Sequence, residues 1–364
     1  MEYNGSNINA ISLVPLQLYV VRASGVRQKV WNNDIPSSVS FCRPIKLIFT
    51  KETKDLTQKE INNIRNQIKN LVHTFVNVAG QRFEVKSKLI ISMVDTKVVN
   101  DFTGTSSQAC FICKRSGKKL NDPAEVIEND DDFLDHVFSP LHCRQRVMEL
   151  MLNISYRLIM DKPTWRISKG AAAVEDHRAR VRRELRIQLG LRISEPLPSG
   201  GNSNDGNTAR KFFKNSNVVS QITGLNEELL NRFDTLLTVV NSQERINSEA
   251  FKTYAEDTRK LYVNLYGWYP LSPSAHKLLI HGAQIAERSI LPIGACSEEA
   301  QETRNKSIRR FREYHSRKFD RSVNMQDVFQ RLQMTSDPVI SCLNISRKIS
   351  LRRDLPEHAL QLIL

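Results

Sequence analysis

The feature that most limits how this chain can fold is a change of texture near residue 110. Before it, apolar residues come in short runs of strand length; after it, they recur at helical spacing. Residues 14–22 (VPLQLYVVR), 41–50 (FCRPIKLIFT) and 83–94 (FEVKSKLIISMV) read as strands. Between the last two, Ile61, Ile64, Ile68, Leu71, Val72 and Phe75 recur at three and four, which predicts a helix over about 56–77. Two strands, a helix and a further strand imply an α/β sheet with a crossover. Beyond 110, helices are expected at 141–160, 173–190, 226–242, 246–267 and 274–289, with residues 191–207 as the clearest loop. A last long helix should start after Ser297, an apt N-cap followed by Glu298 and Glu299 at the positive end of the helix dipole, and run to about His315.

Composition enters through charge. The 364 residues carry a net charge of +14 and are 40% hydrophobic, so the chain is globular and suits a polyanionic partner. No apolar run reaches the roughly 18 residues of a membrane span, and the polar start of the chain does not resemble a signal peptide. Six unevenly spaced cysteines do not suggest a disulfide framework, which points to nucleus or cytosol. The Asn-X-Ser sequons at Asn153, Asn305 and Asn344 are then chance matches. The cations are clustered. Arg178, Arg180, Arg182, Arg183 and Arg186 crowd one helical stretch; Arg304, Lys306, Arg309, Arg310, Arg312, Arg317, Lys318 and Arg321 crowd another, opposed only by Glu313 and Asp320. Each cluster reads either as a phosphate-contacting stripe or as a solvated helix face.

Two constellations can carry chemistry. Cys110-Phe-Ile-Cys113 puts two thiols on one tight turn, which suits two corners of a tetrahedral zinc site, a redox pair or two buried cysteines. Lys114, Arg115 and Lys118 beside it would stabilise thiolates. His276 and His281 are five apart, about 140° out of phase on a regular helix, and spacing alone does not join them to the cysteines. The second constellation is acidic. Asp95 closes the apolar run LIISMVD, as a turn former or as a metal-holding carboxylate at a strand end; Glu302 sits one turn into the Arg-rich helix, as an ion-pair partner of Lys306 or as a catalytic group. Cys42, Cys143, Cys296 and Cys342 have no evident role beyond packing.

Taken together, SMVD (92–95), CFIC (110–113), SPLHCRQRVMELMLNISYRL (139–158), GNSNDGNTARKFF (201–213), SPSAHKLLIHG (272–282) and LPIGACSEEAQETRNKSIRRFREYHSRKFDR (291–321) resemble, in order and spacing, the catalytic region of Transib transposases and the V(D)J recombinase catalytic subunit. The resemblance covers nearly the whole chain. It implies an RNase H-like sheet portion at 1–109, an inserted, mostly helical zinc-binding region at 110–290, and a catalytic-Glu helix with C-terminal helices at 291–364. It implies a structural zinc on Cys110, Cys113, His276 and His281, and Mg²⁺ or Mn²⁺ held by acidic residues that include Asp95 and Glu302. It implies DNA contacts from Arg304, Lys306, Arg309, Arg310 and Arg312, from Arg178, Arg180, Arg182 and Arg183, and from Arg210 and Lys211. Double-stranded DNA, a second copy of the chain and an accessory recombinase subunit are the implied partners, and the nucleus the implied compartment.

The sequence departs from that pattern at one point. Asn4, in Asn4-Gly5-Ser6, stands where the family's first Asp belongs, and most of the strand before it is missing. An amide brings no charge to a hard divalent ion. The expectation is therefore a DNA-binding protein, shortened at its N-terminus and impaired in catalysis; the alternative is an active metal-dependent transposase or recombinase.

Overall fold

Helix starts follow the short polar residues that precede them, as caps require. In a computed structural model of the protein, Asp205, Asn226, Asn247 and Asp320 each accept the backbone N–H three residues on, at 2.7, 2.8, 3.2 and 2.9 Å. The structure describes residues 8–50, 53–91, 93–94, 96–124, 138–161, 163–166, 172–195, 204–345 and 355–364. In chain order the strands and helices of the first third are β1 (Ile8–Leu13), β2 (Gln17–Val21), β3 (Arg27–Asn32), β4 (Arg43–Phe49), α1 (Lys54–Lys69), β5 (Thr74–Val78), β6 (Gln81–Val85) and α2 (Thr96–Thr103). The helices that follow are α3 (Pro140–Ser155), α4 (Ala172–Leu189), α5 (Gly206–Lys214), α6 (Ser216–Thr223), α7 (Glu227–Val240) and α8 (Ser248–Tyr266). After them come α9 (Pro273–His276), α10 (Gly282–Arg288), α11 (Glu299–Tyr314), α12 (Arg321–Met334), α13 (Pro338–Ile345) and α14 (Glu357–Leu360). The chain is thus mixed α/β, mostly helical, with small antiparallel sheets.

Contacts divide it into two compact units, Met1–Gly104 with Glu298–Ser350, and Thr105–Ser297 with Leu351–Leu364. The resemblance implies 110–290 for the helical region.

In the first unit β1 pairs with β4 from Ile8↔Phe49 to Leu13↔Arg43, with a bulge between Ile11 and Ser12. Alternation puts Ile8, Ala10 and Leu47 on the side that packs against Ile308, Val328 and Leu332 of α11 and α12. Polar bonds reinforce that contact. Gln333 Nε2 donates to the Pro44 carbonyl at 2.6 Å, and Ser341 Oγ to the Ser40 carbonyl at 2.6 Å. The other two pairs, β2 with β3 and β5 with β6, are separate hairpins. Every pairing among the described residues is antiparallel and two-stranded, so the expected sheet with a crossover is not seen there.

Two boundaries differ from the sequence reading for a physical reason. The helix expected over 56–77 ends at Lys69 with Asn70 as its cap, and 74–78 is a strand. Phe75 and Val72 happen to continue the helical spacing, but Thr-Phe-Val-Asn-Val favours an extended backbone and the Ala79-Gly80 pair, both at positive φ, folds it into a hairpin. The strand expected to reach Val94 stops at Val85, and residues 86–91 have no regular structure. The α11 cap is Glu298, not Ser297, and carries no side-chain capping bond.

The second unit is built around α3, α7 and α8. Val147, Met148, Met151 and Ile154 from α3 are fully or almost fully buried; so are Leu229, Leu230, Phe233, Leu236 and Leu237 from α7, and Phe251 and Tyr262 from α8. Phe212 and Phe213 of α5 join them edge to face at 5.2 Å. The last residues also belong to this unit: the Asn247 N–H donates to the Leu362 carbonyl at 3.0 Å and the Leu364 N–H to that of Arg245 at 2.8 Å.

Candidate metal centre and nucleic-acid interface

The Cys110–Cys113 segment is a knuckle. The Cys110 N–H donates to the Arg115 carbonyl at 2.9 Å, the Lys114 N–H returns to the Cys110 carbonyl at 2.8 Å, and Ala109 bridges Ser116. Lys114 sits at φ +58°, the left-handed step that closes such a turn and aims both thiols the same way.

The histidines reach the thiols through a helical irregularity. Ser272 caps α9, with Pro273 in its first turn and His276 as its last residue. From Lys277 to His281 the backbone then forms a single π turn before α10 resumes as α-helix. A π turn bonds i to i+5, so it stacks the two residues that a regular helix would splay apart. The His276 and His281 rings end 5.1 Å apart, at 71°. The ligand atoms of Cys110, Cys113, His276 and His281 all lie within 4.8 Å of one another, and three of the four residues are buried.

This cage can hold a metal such as zinc. Arms of about 2.3 Å to sulfur and 2.0 Å to nitrogen give tetrahedral edges of roughly 3.3–3.8 Å, and Cys113 Sγ lies 3.2 Å from His276 Nε2. Two further observations fit a metal. His276 Nδ1 donates to the Leu120 carbonyl at 2.7 Å, which fixes its proton there and turns the Nε2 lone pair toward the thiols. Both ring nitrogens of His281 are buried without a hydrogen-bond partner among the described residues, a costly arrangement that coordination would relieve. The hydrogen bond from the Cys110 thiol, followed by the contact with His276, holds the Cys113 thiol below its usual range. Its Cys110 partner is pushed up by the same bond and by burial.

Residues that the sequence reading passed over hold this cage in place. Buried Asn121 donates to the carbonyls of Gly267 and Tyr269 at 3.2 and 3.1 Å and accepts the Leu271 N–H at 2.7 Å. It thereby ties the 3-10 turn Gly117–Asn121, which supplies the Leu120 carbonyl, to the segment entering α9. Arg259 adds a bond from its guanidinium to the Asn121 carbonyl at 2.8 Å. Lys277, next to His276, is buried with its ammonium 4.3 Å from the centre of the Phe111 ring; burial pulls its pKa down. A lone Asn and a lone Lys carry no spacing signal that would have marked them.

The acidic constellation is placed only in part. Asn4 and Asp95 lie outside the described residues. Glu302 is half-buried in the first turn of α11, its N–H on the Glu298 carbonyl at 3.0 Å.

The cationic clusters sort by exposure. On α4, Val174, Val181 and Leu185 face inward and Arg180, Arg183 and Arg186 outward. Arg178 is occupied by Glu175 at 2.9 Å and by the Tyr156 ring, and Arg182 by Glu195 at 2.9 Å and the Ile193 carbonyl. On α5, Lys211 is exposed, while half-buried Arg210 donates to Asn207 at 3.1 Å. On α11, Lys306, Arg309 and Arg310 are exposed; Arg312 is half-buried, 5.1 Å from the Phe49 ring centre. Arg304 corrects the sequence reading. Its side chain is fully buried, donating to the Val39 carbonyl and, at 2.9 Å, to Thr335 Oγ1. Four residues from each of the apolar Ala300 and Ile308, it falls on the inward face of α11 and braces the helix.

Of the other cysteines, Cys42, Cys143 and Cys296 are buried and unbridged, as packing residues would be. No described helix is long and apolar enough to cross a membrane. No protein-family model matches the chain, and no curated protein matches it.

Proposed function

We propose that this chain is a DNA-binding protein built on the catalytic core of a Transib-type transposase or V(D)J-type recombinase. In this reading the first unit derives from an RNase H-like sheet, zinc is the structural metal of the second, and catalysis is impaired because Asn4 stands in for a carboxylate. The observation that supports it is the convergence of Cys110, Cys113, His276 and His281. The resemblance selects these four from segments far apart in sequence, and they share one buried cage. Zinc would tie the 110–113 knuckle to the α9–α10 helix and supply folding energy there rather than reactivity. Exposed Lys306, Arg309, Arg310, Arg180, Arg183 and Lys211 would contact phosphates. The reading carries with it double-stranded DNA as ligand, a homodimer, an accessory recombinase subunit as a further partner, and a nuclear location.

A second reading, an active endonuclease and strand transferase, is favoured by the place of Glu302, a half-buried acidic residue at the head of the cation-rich helix. With Asp95 it would hold Mg²⁺ or Mn²⁺.

One set of measurements tests both. Purified full chain should contain about one zinc per protein, since one Cys2His2 cage holds one ion. It should bind duplex DNA with an affinity that falls steeply between about 50 and 200 mM salt, and Glu302→Gln should leave that binding unchanged. Absent or salt-insensitive binding would sink the first reading. Nicking of DNA in Mg²⁺ or Mn²⁺ that Glu302→Gln abolishes would replace it with the second.

A further inference from the structure

The corner between α11 and α12 presents two aromatic rings to solvent in the middle of a cationic ridge. Tyr314, the last residue of α11, is 75% exposed, and Phe319 is 91% exposed. A single exposed ring is ordinary. Here the backbone that carries the rings is tied down on both sides. The Arg317 N–H and guanidinium bond Asp327 at 2.9, 3.0 and 2.8 Å, and the guanidinium holds that carboxyl down to about 2. Asn324 Nδ2 donates to Ser316 Oγ and to the Arg317 carbonyl, Lys318 Nζ closes the last carbonyls of α11 at 2.9 and 3.0 Å, and Asp320 caps α12. Phe319 is therefore held out by an ordered loop.

The cations beside the rings are in register with them. Lys306, Arg310 and Tyr314 are spaced i, i+4, i+8, which places them in one stripe of about 12 Å along α11. Lys306 and Arg310 have no ion-pair or hydrogen-bond partner among the described residues, whereas Arg309 and Arg317 are neutralised by Glu313 and Asp327. An occupant must offer negative charge to the stripe and flat apolar faces to the rings. Duplex DNA offers phosphates but hides its base faces in the stack; unpaired nucleotides offer both. A lipid surface would meet two isolated rings with Glu313 and Asp320 beside them, not the broad apolar face that such binding uses.

The geometry points to the α11–α12 corner as a binding site for unpaired nucleotides of DNA, with Phe319 and Tyr314 as stacking platforms and Lys306 and Arg310 as phosphate contacts. This rests on the DNA-binding reading above and narrows its ligand to DNA with unpaired bases.

Fluorescence anisotropy of the full chain with a single strand, a forked duplex and a blunt duplex of equal length tests it. Phe319→Ala, at an exposed position, should weaken single-strand and forked binding by about 5- to 100-fold, the range of base–aromatic stacking. Blunt-duplex binding and the salt slope should be unchanged, and Phe319→Tyr should restore affinity. Arg310→Gln should weaken all three probes and reduce the salt slope by about 1. If the wild-type chain binds DNA but Phe319→Ala and Tyr314→Ala bind single strands as it does, this inference is overturned and the DNA-binding reading stands. If the wild-type chain binds none of the probes, the DNA-binding reading fails first. Binding to phosphatidylserine vesicles that Phe319→Ala abolishes, with single-strand affinity unaffected, would overturn it in favour of a membrane contact.

Discussion

The unit of Thr105–Ser297 and the unit of Met1–Gly104 with Glu298–Ser350 bury their apolar side chains to different degrees. In the former, Phe212, Phe233, Phe251, Val147 and Leu236 are fully buried, drawn from helices on every side of one core. In the latter, the core lies between β1–β4 and α11–α12, around Ile308, Val328 and Leu332. Both of its hairpins carry apolar residues into solvent: Leu18, Val21, Val26 and Val30 on β2–β3, and Phe75, Val76, Val78 and Phe83 on and around β5–β6, with Val72 just before it 82% exposed. An isolated two-stranded hairpin is marginal in water. The helical unit holds most of what stabilises a domain, and its metal cage sits within that core. The strand-bearing unit leaves to solvent what a larger sheet would cover.

The largest expected effect bears on the metal. Structural zinc contributes roughly 10–16 kcal/mol of apparent binding energy, so a chelator, or Cys113→Ser, should abolish the cooperative melt of the helical unit. Limited proteolysis mapped by mass spectrometry should then open sites within 105–297. A melt and a cleavage map indifferent to chelator would break the comparison.

Next come the cores. Phe233→Ala should cost about 3–5 kcal/mol in denaturant unfolding, whereas Phe75→Ala on the exposed hairpin should change stability by no more than about 0.5 kcal/mol. Equal costs would mean that the hairpin is covered in solution.

A smaller effect is expected at Gly282, directly after His281. A Cβ there would stand 2.8 Å from Phe251 Cε1, so Gly282→Ala should cost about 1–3 kcal/mol by overpacking and lower zinc affinity in a competition titration. Unchanged affinity would show that the π turn tolerates the push.

The smallest concerns pH. Arg317 lowers the Asp327 carboxyl to about 2. A lowered carboxylate adds stability above its unfolded pKa of about 3.9 and loses it as pH falls toward 2. Because the pair is exposed, the contribution is slight. Asp327→Asn should flatten the acid limb of the stability profile between about pH 4 and 2, and leave the profile near neutrality parallel to wild type.

Much of the helical unit was legible because its helices advertise period and caps. Asn226 followed by Leu229, Leu230 and Phe233, and Asn247 followed by Phe251, state a boundary and a buried face together. The strand-bearing unit was less so. Strands expected at 14–22 and 41–50 contain β2 and β4, but which strand pairs with which is not encoded in either run alone. The β5–β6 hairpin turns at Ala79-Gly80, where an Ala at φ +50° gives none of the signal that Asn would. The metal cage was legible only through the resemblance. Regular helical geometry places His276 and His281 on different faces, and no single residue between them announces the π turn that brings them together. Arg304 was misplaced because a string of basic residues does not say which of them Ile308 and Ala300 will carry inward.

The π turn has a consequence beyond the cage. One residue inserted into an α-helix without breaking it advances the phase of everything downstream by about 100°. Deleting Leu279 would restore an ordinary His-x3-His helix, in which two imidazoles already share a face. The ligand pair would survive that deletion. Gly282 and Ile285, which follow His281 on α10, would keep their faces along with it. The π turn takes up the turn that a spare residue would add to a regular helix, so the chain leaves the cage in the phase of an ordinary i, i+4 pair.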